Sequence, residues 1–170
     1  MPFEIDFEDP RVGFASAHFI IGHDKCGRLH GHNYFLKVNI KCKTLQNNMV
    51  IDYGILKDEL KKLTSQLDHK VIIPKKAKAL TLKDSNNSIE VFSCNKRYLF
   101  QKEDVILLPI VATTAEELAK YFHKELKKMW PTFSIKVTIE ESPGAMATFT
   151  TWVICKRIKI KITLKYEKLF

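Results

Sequence analysis

The sequence lacks any apolar run long enough to cross a membrane as a helix. Its longest apolar stretch covers residues 105–112 and contains Pro109, whereas a membrane-spanning helix needs about 20 apolar residues. The first ten residues carry four acidic side chains and have neither a basic leader nor an apolar core, so they do not resemble a secretory signal. We therefore expect no membrane segment and a cytoplasmic location.

Residues that define other protein classes are also scarce. Glycine and proline number only 6 each in 170 residues, which excludes a fibrous or low-complexity chain. The 4 cysteines contain no Cys-x-x-Cys pair, which argues against a disulfide framework or a zinc site made of cysteines alone. With 45% hydrophobic residues, residues 1–170 are predicted to form a single globular domain.

Positive charge is in excess, and much of it lies near the end of the sequence. The formal net charge is +9, and residues 151–170 contain six basic side chains against one acidic side chain. Apolar residues and lysines alternate over about residues 156–165, which predicts a basic strand with one buried face. Such lysines commonly protect a sheet edge, but a basic surface also attracts RNA or a phosphate-bearing small molecule.

Alternation of apolar and polar residues predicts several strands. Short β-like runs broken by polar turns also predict an inserted β segment over about residues 75–109. The longer extended segments are expected at residues 3–7, 12–20, 34–43, 135–141 and 146–154.

Two segments have the period of a helix instead. Leucines at positions 56, 60, 63 and 67 follow a candidate cap at Asp52 and form one apolar stripe. A second helix is predicted after Thr113 and Thr114, each followed three residues later by a glutamate, and it ends at Pro131. The pattern predicts an α+β domain in which two helices pack on one face of an antiparallel sheet.

Three histidines form a candidate metal site. The spacing of two between His30 and His32 places both side chains on one face of a strand, and antiparallel pairing with residues 12–20 could bring His18 beside them. Three imidazoles leave a fourth zinc position open, as in catalytic sites. The alternatives are solvated or hydrogen-bonded histidines, or a closed structural site in which Cys26 is the fourth ligand.

Six motifs occur in a fixed order along the chain. They are Phe14-Ala-Ser-Ala-His18, Lys25-Cys-Gly-Arg-Leu-His-Gly-His32, Val50-Ile-Asp52, Leu67-Asp-His69, Thr114-Ala-Glu116 and Val137-x-Ile-x-Glu141. In order and spacing they resemble the 6-pyruvoyl-tetrahydropterin synthase family over nearly the whole chain. The three residues between Cys26 and His30 are similar to its 6-carboxy-tetrahydropterin synthase branch, which serves the synthesis of deazaguanine bases of tRNA.

The resemblance implies a zinc-dependent lyase with the tunnelling fold, or T-fold. Its substrate would be dihydroneopterin triphosphate, which explains a basic surface without nucleic acid as a partner. Such enzymes assemble as two stacked trimers with active sites at subunit interfaces. The product would be 6-carboxy-tetrahydropterin, with 6-pyruvoyl-tetrahydropterin or retro-aldol cleavage of dihydroneopterin as alternatives. An alternative of another class is a zinc-stabilised RNA-binding module.

The resemblance also implies roles for individual residues. His18, His30 and His32 would bind zinc, and Cys26, Asp68 and His69 would transfer protons. Glu141, Thr113, Thr114 and Glu116 would contact the substrate.

The residues alone support the role of Glu141, and they offer a different interpretation of Asp68 and His69. Glu141 falls on the apolar face of its strand, where a carboxylate needs a partner, whereas Glu140 faces the other way. A carboxylate can accept two adjacent N–H groups of a pterin. The pair Asp68 and His69 can also be read as a helix terminus, where a histidine is favourable for the helix dipole.

The sequence departs from the family pattern at three places. Thr113 stands where the family often has proline, a change that affects only the helix cap. The segment from about residue 75 to 108 is longer than the usual connection, and the basic tail extends beyond the usual end. These two segments could change access to the site, but neither removes a proposed site residue.

Overall fold

The computed structural model describes residues 2–151. The predicted basic strand at 156–165 therefore lies outside the described residues. In chain order the elements are β1 (Phe3–Phe7), β2 (Gly13–His18), β3 (His30–Cys42), α1 (Tyr53–Ser65), β4 (Lys70–Pro74), β5 (Leu80–Asp84), β6 (Ser88–Ser93), β7 (Lys96–Gln101), β8 (Val105–Leu108), α2 (Ala115–Met129), β9 (Ser134–Ser142) and β10 (Ala145–Thr150).

The main sheet is organised around the long strand β3. Its neighbours on one edge are β2 along the first half and β1 along the second half, and β9 pairs with the other edge. The strand order is β10-β9-β3-β2-β4-β8, with β1 also paired to β3. The predicted α+β class is confirmed, because these strands carry two helices against one sheet.

The main sheet is mixed, whereas the sequence predicted an antiparallel one. Strand β4 runs parallel to both β2 and β8. Parallel neighbours need a long crossover connection. The chain supplies one crossover through β3 and α1, and the other through residues 75–104, which include the second sheet.

The two helices cover one face of the main sheet. Asp52 caps α1 by accepting the N–H groups of Gly54 and Ile55 at 2.7 and 3.1 Å, and Thr114 caps α2. Both caps satisfy N–H groups that have no partner within the helix. The apolar stripes of the helices and alternate residues of β3 and β9 form a single buried core. The predicted helices and their caps are confirmed.

The inserted β segment is a three-stranded antiparallel sheet of β5, β6 and β7. It packs on a small second core built from Phe19, Ile73 and Val91, and Tyr98 stacks on Phe19 with ring centroids 5.2 Å apart. The run at residues 105–108 was predicted as part of the insert, but it forms β8 of the main sheet. Within residues 2–151, neither helix has the length and hydrophobicity needed to span a membrane.

Candidate active site

The three histidines come together at the end of the β2–β3 pair. His18 and His30 lie directly opposite each other in the antiparallel register, and His32 follows two residues later on the same face of β3. One nitrogen from each ring lies within 4.8 Å of the nitrogens from the other two. This cluster could hold a metal ion, as the spacing predicted.

Hydrogen bonds behind the rings orient two of the histidines. The Nδ1 atom of His18 lies 2.8 Å from the carbonyl oxygen of Thr113, and that of His30 lies 2.7 Å from the carbonyl oxygen of Arg28. A carbonyl only accepts, so each Nδ1 carries a proton, and in the neutral form of such a ring Nε2 keeps a free lone pair. Metal-binding histidines are commonly oriented in this way.

The protonation of His18 also suits a metal ligand. Its side chain is almost fully buried, and this burial is the main cause that lowers the pKa of His18 below its ordinary value. A lowered pKa favours the neutral imidazole, which is the form that binds metal. Three neutral imidazoles suit zinc and several transition metals, so the residues present fit the metal that the resemblance implies.

Tyr34, which was not among the predicted site residues, links the histidines to Glu141. The buried Tyr34 hydroxyl donates to Oε1 of Glu141 at 3.2 Å and lies 3.2 Å from Nε2 of His18. Burial, followed by the nearby Glu141 carboxylate, raises the pKa of Tyr34, so the hydroxyl stays a donor. Tyr34 follows His30 by four residues and therefore shares its strand face, a signal that was available in the sequence.

Glu141 and Glu140 occupy different environments. Oε1 of Glu141 lies 3.6 Å from Nε2 of His18 and 3.9 Å from Nε2 of His32. Glu140 instead pairs with Lys37 at 2.7 Å. The register of β9 with β10 shifts by one residue at this point, and such bulges often re-aim a side chain beside a functional site.

A cavity of about 800 Å³ contains most of the predicted site residues. Thr113 is buried behind His18, and its hydroxyl donates to the Phe19 carbonyl at 2.8 Å. It therefore supports His18 and is not among the residues that line the cavity. The lining includes His18, Cys26, His30, His32, Thr114, Glu116 and Glu141.

Asp68 and His69 form a pair, but neither residue lines the cavity that contains the three histidines. Oδ2 of Asp68 lies 2.9 Å from Nδ1 of His69, and its Oδ1 accepts the Ala15 N–H at 2.7 Å. The hydrogen bond from Ala15 is the largest cause that lowers the pKa of Asp68, so this carboxylate stays ionised. As an acceptor it holds the His69 proton on Nδ1.

His69 borders a second cavity. That cavity also borders Ala15, Ala17 and Asn33, which alternate to the sheet face opposite the three histidines, and His32 borders both cavities. The His69 side chain is 85% exposed. Within one described chain, Cys26 and His69 therefore line different cavities.

Comparison with known proteins identifies the family. A family model described as 6-pyruvoyl tetrahydropterin synthase matches residues 10–151. A protein of Methanocaldococcus jannaschii, provisionally named a 6-carboxy-5,6,7,8-tetrahydropterin synthase, is 35% identical over 163 residues, which cover 92% of this chain and 100% of that protein. The 6-carboxy-5,6,7,8-tetrahydropterin synthase of Rickettsia felis is 34% identical over 119 residues, 68% of this chain and 76% of that protein.

Solved structures show the same fold. A catalytic-residue mutant of 6-pyruvoyltetrahydropterin synthase from Plasmodium vivax has a TM-score of 0.81 and 29% identity, and the match covers 89% of this chain and 98% of that one. The Plasmodium falciparum enzyme also has a TM-score of 0.81 and 29% identity, with 89% and 99% covered. The chain is therefore an enzyme with the T-fold, and it belongs to the 6-pyruvoyl tetrahydropterin synthase family.

Proposed function

We propose that this chain is a zinc-dependent lyase that converts dihydroneopterin triphosphate to 6-carboxy-tetrahydropterin in the synthesis of deazaguanine bases of tRNA, in the cytoplasm. The observation that carries the proposal is the cluster of His18, His30 and His32 in one cavity with Cys26 and Glu141. The names of the relatives from Methanocaldococcus jannaschii and Rickettsia felis support the 6-carboxy product.

The histidine cluster would hold the zinc ion through one nitrogen of each imidazole ring. Bound zinc would act as a Lewis acid that stabilises negative charge on side-chain oxygens of the substrate. Cys26 lines the same cavity, and its thiolate would remove a proton from an adjacent substrate carbon. Lys25 and Arg28 line the cavity with it.

Glu141 would anchor the pterin ring. Its contacts with Tyr34, His18 and His32 all involve Oε1, and its side chain is 28% exposed at the cavity. A carboxylate that is partly open can accept adjacent N–H groups of the aminopyrimidine edge. Thr114 and Glu116 line the same cavity and would contact the ring from the start of α2.

Asp68 and His69 would act in the site of a neighbouring subunit. Within one chain His69 lines a different cavity from Cys26, and its side chain is largely exposed. An assembly of two stacked trimers with interface sites would bring His69 of one subunit to Cys26 of the next. Asp68 would then hold the imidazole so that its other nitrogen can receive or supply a proton.

A 6-pyruvoyl-tetrahydropterin product is the second candidate. It is favoured by the similarity to the Plasmodium 6-pyruvoyltetrahydropterin synthases at a TM-score of 0.81. Proton removal from the substrate side chain is common to both reactions, so the cavity residues serve either one.

Mass spectrometry of the product tests the proposed reaction directly. Incubation of the zinc-loaded protein with dihydroneopterin triphosphate is expected to release 6-carboxy-tetrahydropterin. Release of 6-pyruvoyl-tetrahydropterin would select the second candidate, and cleavage of dihydroneopterin itself would indicate a retro-aldol enzyme. No turnover of either compound would contradict the proposed function.

Metal analysis of two variants tests whether His30 is a zinc ligand and whether Cys26 is a base. His30→Ala is expected to lose zinc and activity together, because two imidazoles remain. Cys26→Ala is expected to keep its zinc and lose about 10²- to 10⁴-fold in turnover, the usual contribution of a general acid or base. If Cys26→Ala loses zinc on dialysis, Cys26 is a fourth ligand of a closed site instead.

Two neighbouring glutamates provide a matched pair for pterin binding. Glu141→Gln keeps the shape but turns one acceptor into a donor that opposes a pterin N–H. It is expected to weaken binding of a non-reactive oxidised pterin roughly 5- to 150-fold, from an unsatisfied pair worth about 1–3 kcal/mol. Glu140→Gln removes only the pair with Lys37 and should change little. Equal losses in a fluorescence titration would refute the pterin role of Glu141.

Mixing inactive variants tests the interface site. Cys26→Ala and His69→Ala are each expected to be nearly inactive alone. If the two residues meet across an interface, a randomly mixed assembly should recover up to about one quarter of the parent activity, because some interfaces contain both intact residues. The measurement is turnover after co-expression of differently tagged variants. An isolated mixed assembly without recovered activity would place both residues in one subunit's site or exclude His69 from it.

A further inference from the structure

A tight turn beside the histidines places two cations on either side of Cys26. The Arg28 N–H donates to the carbonyl oxygen of Lys25 at 3.2 Å, which closes a turn of four residues. Residues at the two ends of such a turn have Cα atoms within about 7 Å of each other. Lys25 and Arg28 both line the 800 Å³ cavity with Cys26 and His30. The turn thus brings two positive side chains to the same wall of the candidate active site.

The backbone of this turn is held from several directions. The Cys26 carbonyl oxygen accepts the Ile20 N–H at 2.7 Å, and Lys96 of β7 donates its ammonium group to the carbonyl oxygen of Gly27. A side chain at Gly27 would be impossible here, since a Cβ would lie 2.0 Å from the carbonyl oxygen of His23. A turn fixed in this way presents its cations without a large ordering cost on binding.

Neither cation forms an ion pair with an acidic side chain of residues 2–151. Both are exposed, and none of the ion pairs within 4.0 Å in that part of the chain involves Lys25 or Arg28. The acidic residues of the cavity come from other elements, Glu116 from α2 and Glu141 from β9. Uncompensated positive charge at a concave site attracts an anion.

We propose that Lys25 and Arg28 form a polyphosphate subsite that binds the phosphate chain of the substrate. The inference rests on the proposed function, because the pterin end of the ligand is assigned through Glu141. The planar guanidinium of Arg28 suits bidentate contact with phosphate oxygens, and the Lys25 ammonium adds a point charge. The substrate would then lie across the histidine cluster, with its ring toward Glu141 and its phosphates toward the turn.

Paired ligands test this subsite. Neopterin and neopterin triphosphate carry the same non-reactive ring, and only the second carries phosphates. In the double variant Lys25→Gln, Arg28→Gln, affinity for neopterin triphosphate is expected to fall roughly 10-fold or more, since hydrogen bonds to charged groups are lost. Affinity for neopterin should stay within about two-fold, because neutral ligands gain little from a distant charge. Inorganic tripolyphosphate should displace neopterin triphosphate from the parent protein but not from the variant.

A matched double variant controls for net charge. Lys61→Gln with Lys124→Gln removes two positive charges from exposed helix positions and is expected to bind both ligands as the parent does. Zinc content should be unchanged in both double variants, which shows that the histidine cluster is intact. Unchanged affinity of the Lys25, Arg28 variant for neopterin triphosphate, or an equal loss for neopterin, would overturn the subsite. If the parent binds neither ligand, the proposed function itself fails.

Discussion

The candidate site depends on the antiparallel register between β2 and β3. Side chains alternate across a strand, so His18 shares a face with His30 and His32 only in the observed pairing, and a slip of one residue would turn His18 to the opposite face. The register is set by packing farther along the same strands, where Phe14 stacks on Tyr34 with centroids 4.9 Å apart. The burial of an apolar face therefore positions the polar cluster at its end.

Tyr34 lies where the apolar face of the sheet changes into the polar site. Its ring packs in the main core, and its hydroxyl contacts Glu141 and lies near His18. Buried polar groups are costly unless they are hydrogen-bonded, and the buried Tyr34 hydroxyl meets this need by donating to Glu141. Because the Tyr34 hydroxyl donates its hydrogen bond to Glu141, the Nε2 lone pair of His18 remains available. The same contact also holds the carboxylate that faces the cavity.

Local sequence patterns were sufficient to predict the elements whose residue pattern repeats over a few positions. Helix caps at Asp52 and Thr114 and the alternation of β3 were predicted, and the histidine cluster followed from strand geometry. The parallel pairing of β4 with β8 was not predicted, since it joins strands that are separated by a whole second sheet. The contact of Asp68 with His69 follows from their adjacency, but the cavity that His69 borders depends on tertiary packing that no local pattern records.

The inserted sheet is joined to the candidate site through consecutive residues of one chain segment. His18 belongs to the histidine cluster, whereas Phe19 is buried in the second core beneath the inserted sheet. The carbonyl of Phe19 also accepts the hydroxyl of Thr113, whose own carbonyl orients the His18 ring. Lys96 of the inserted sheet reaches the turn that carries Cys26. The insert therefore contacts both the segment that orients a histidine and the turn beside the thiol, so packing in the second core constrains the geometry of the site.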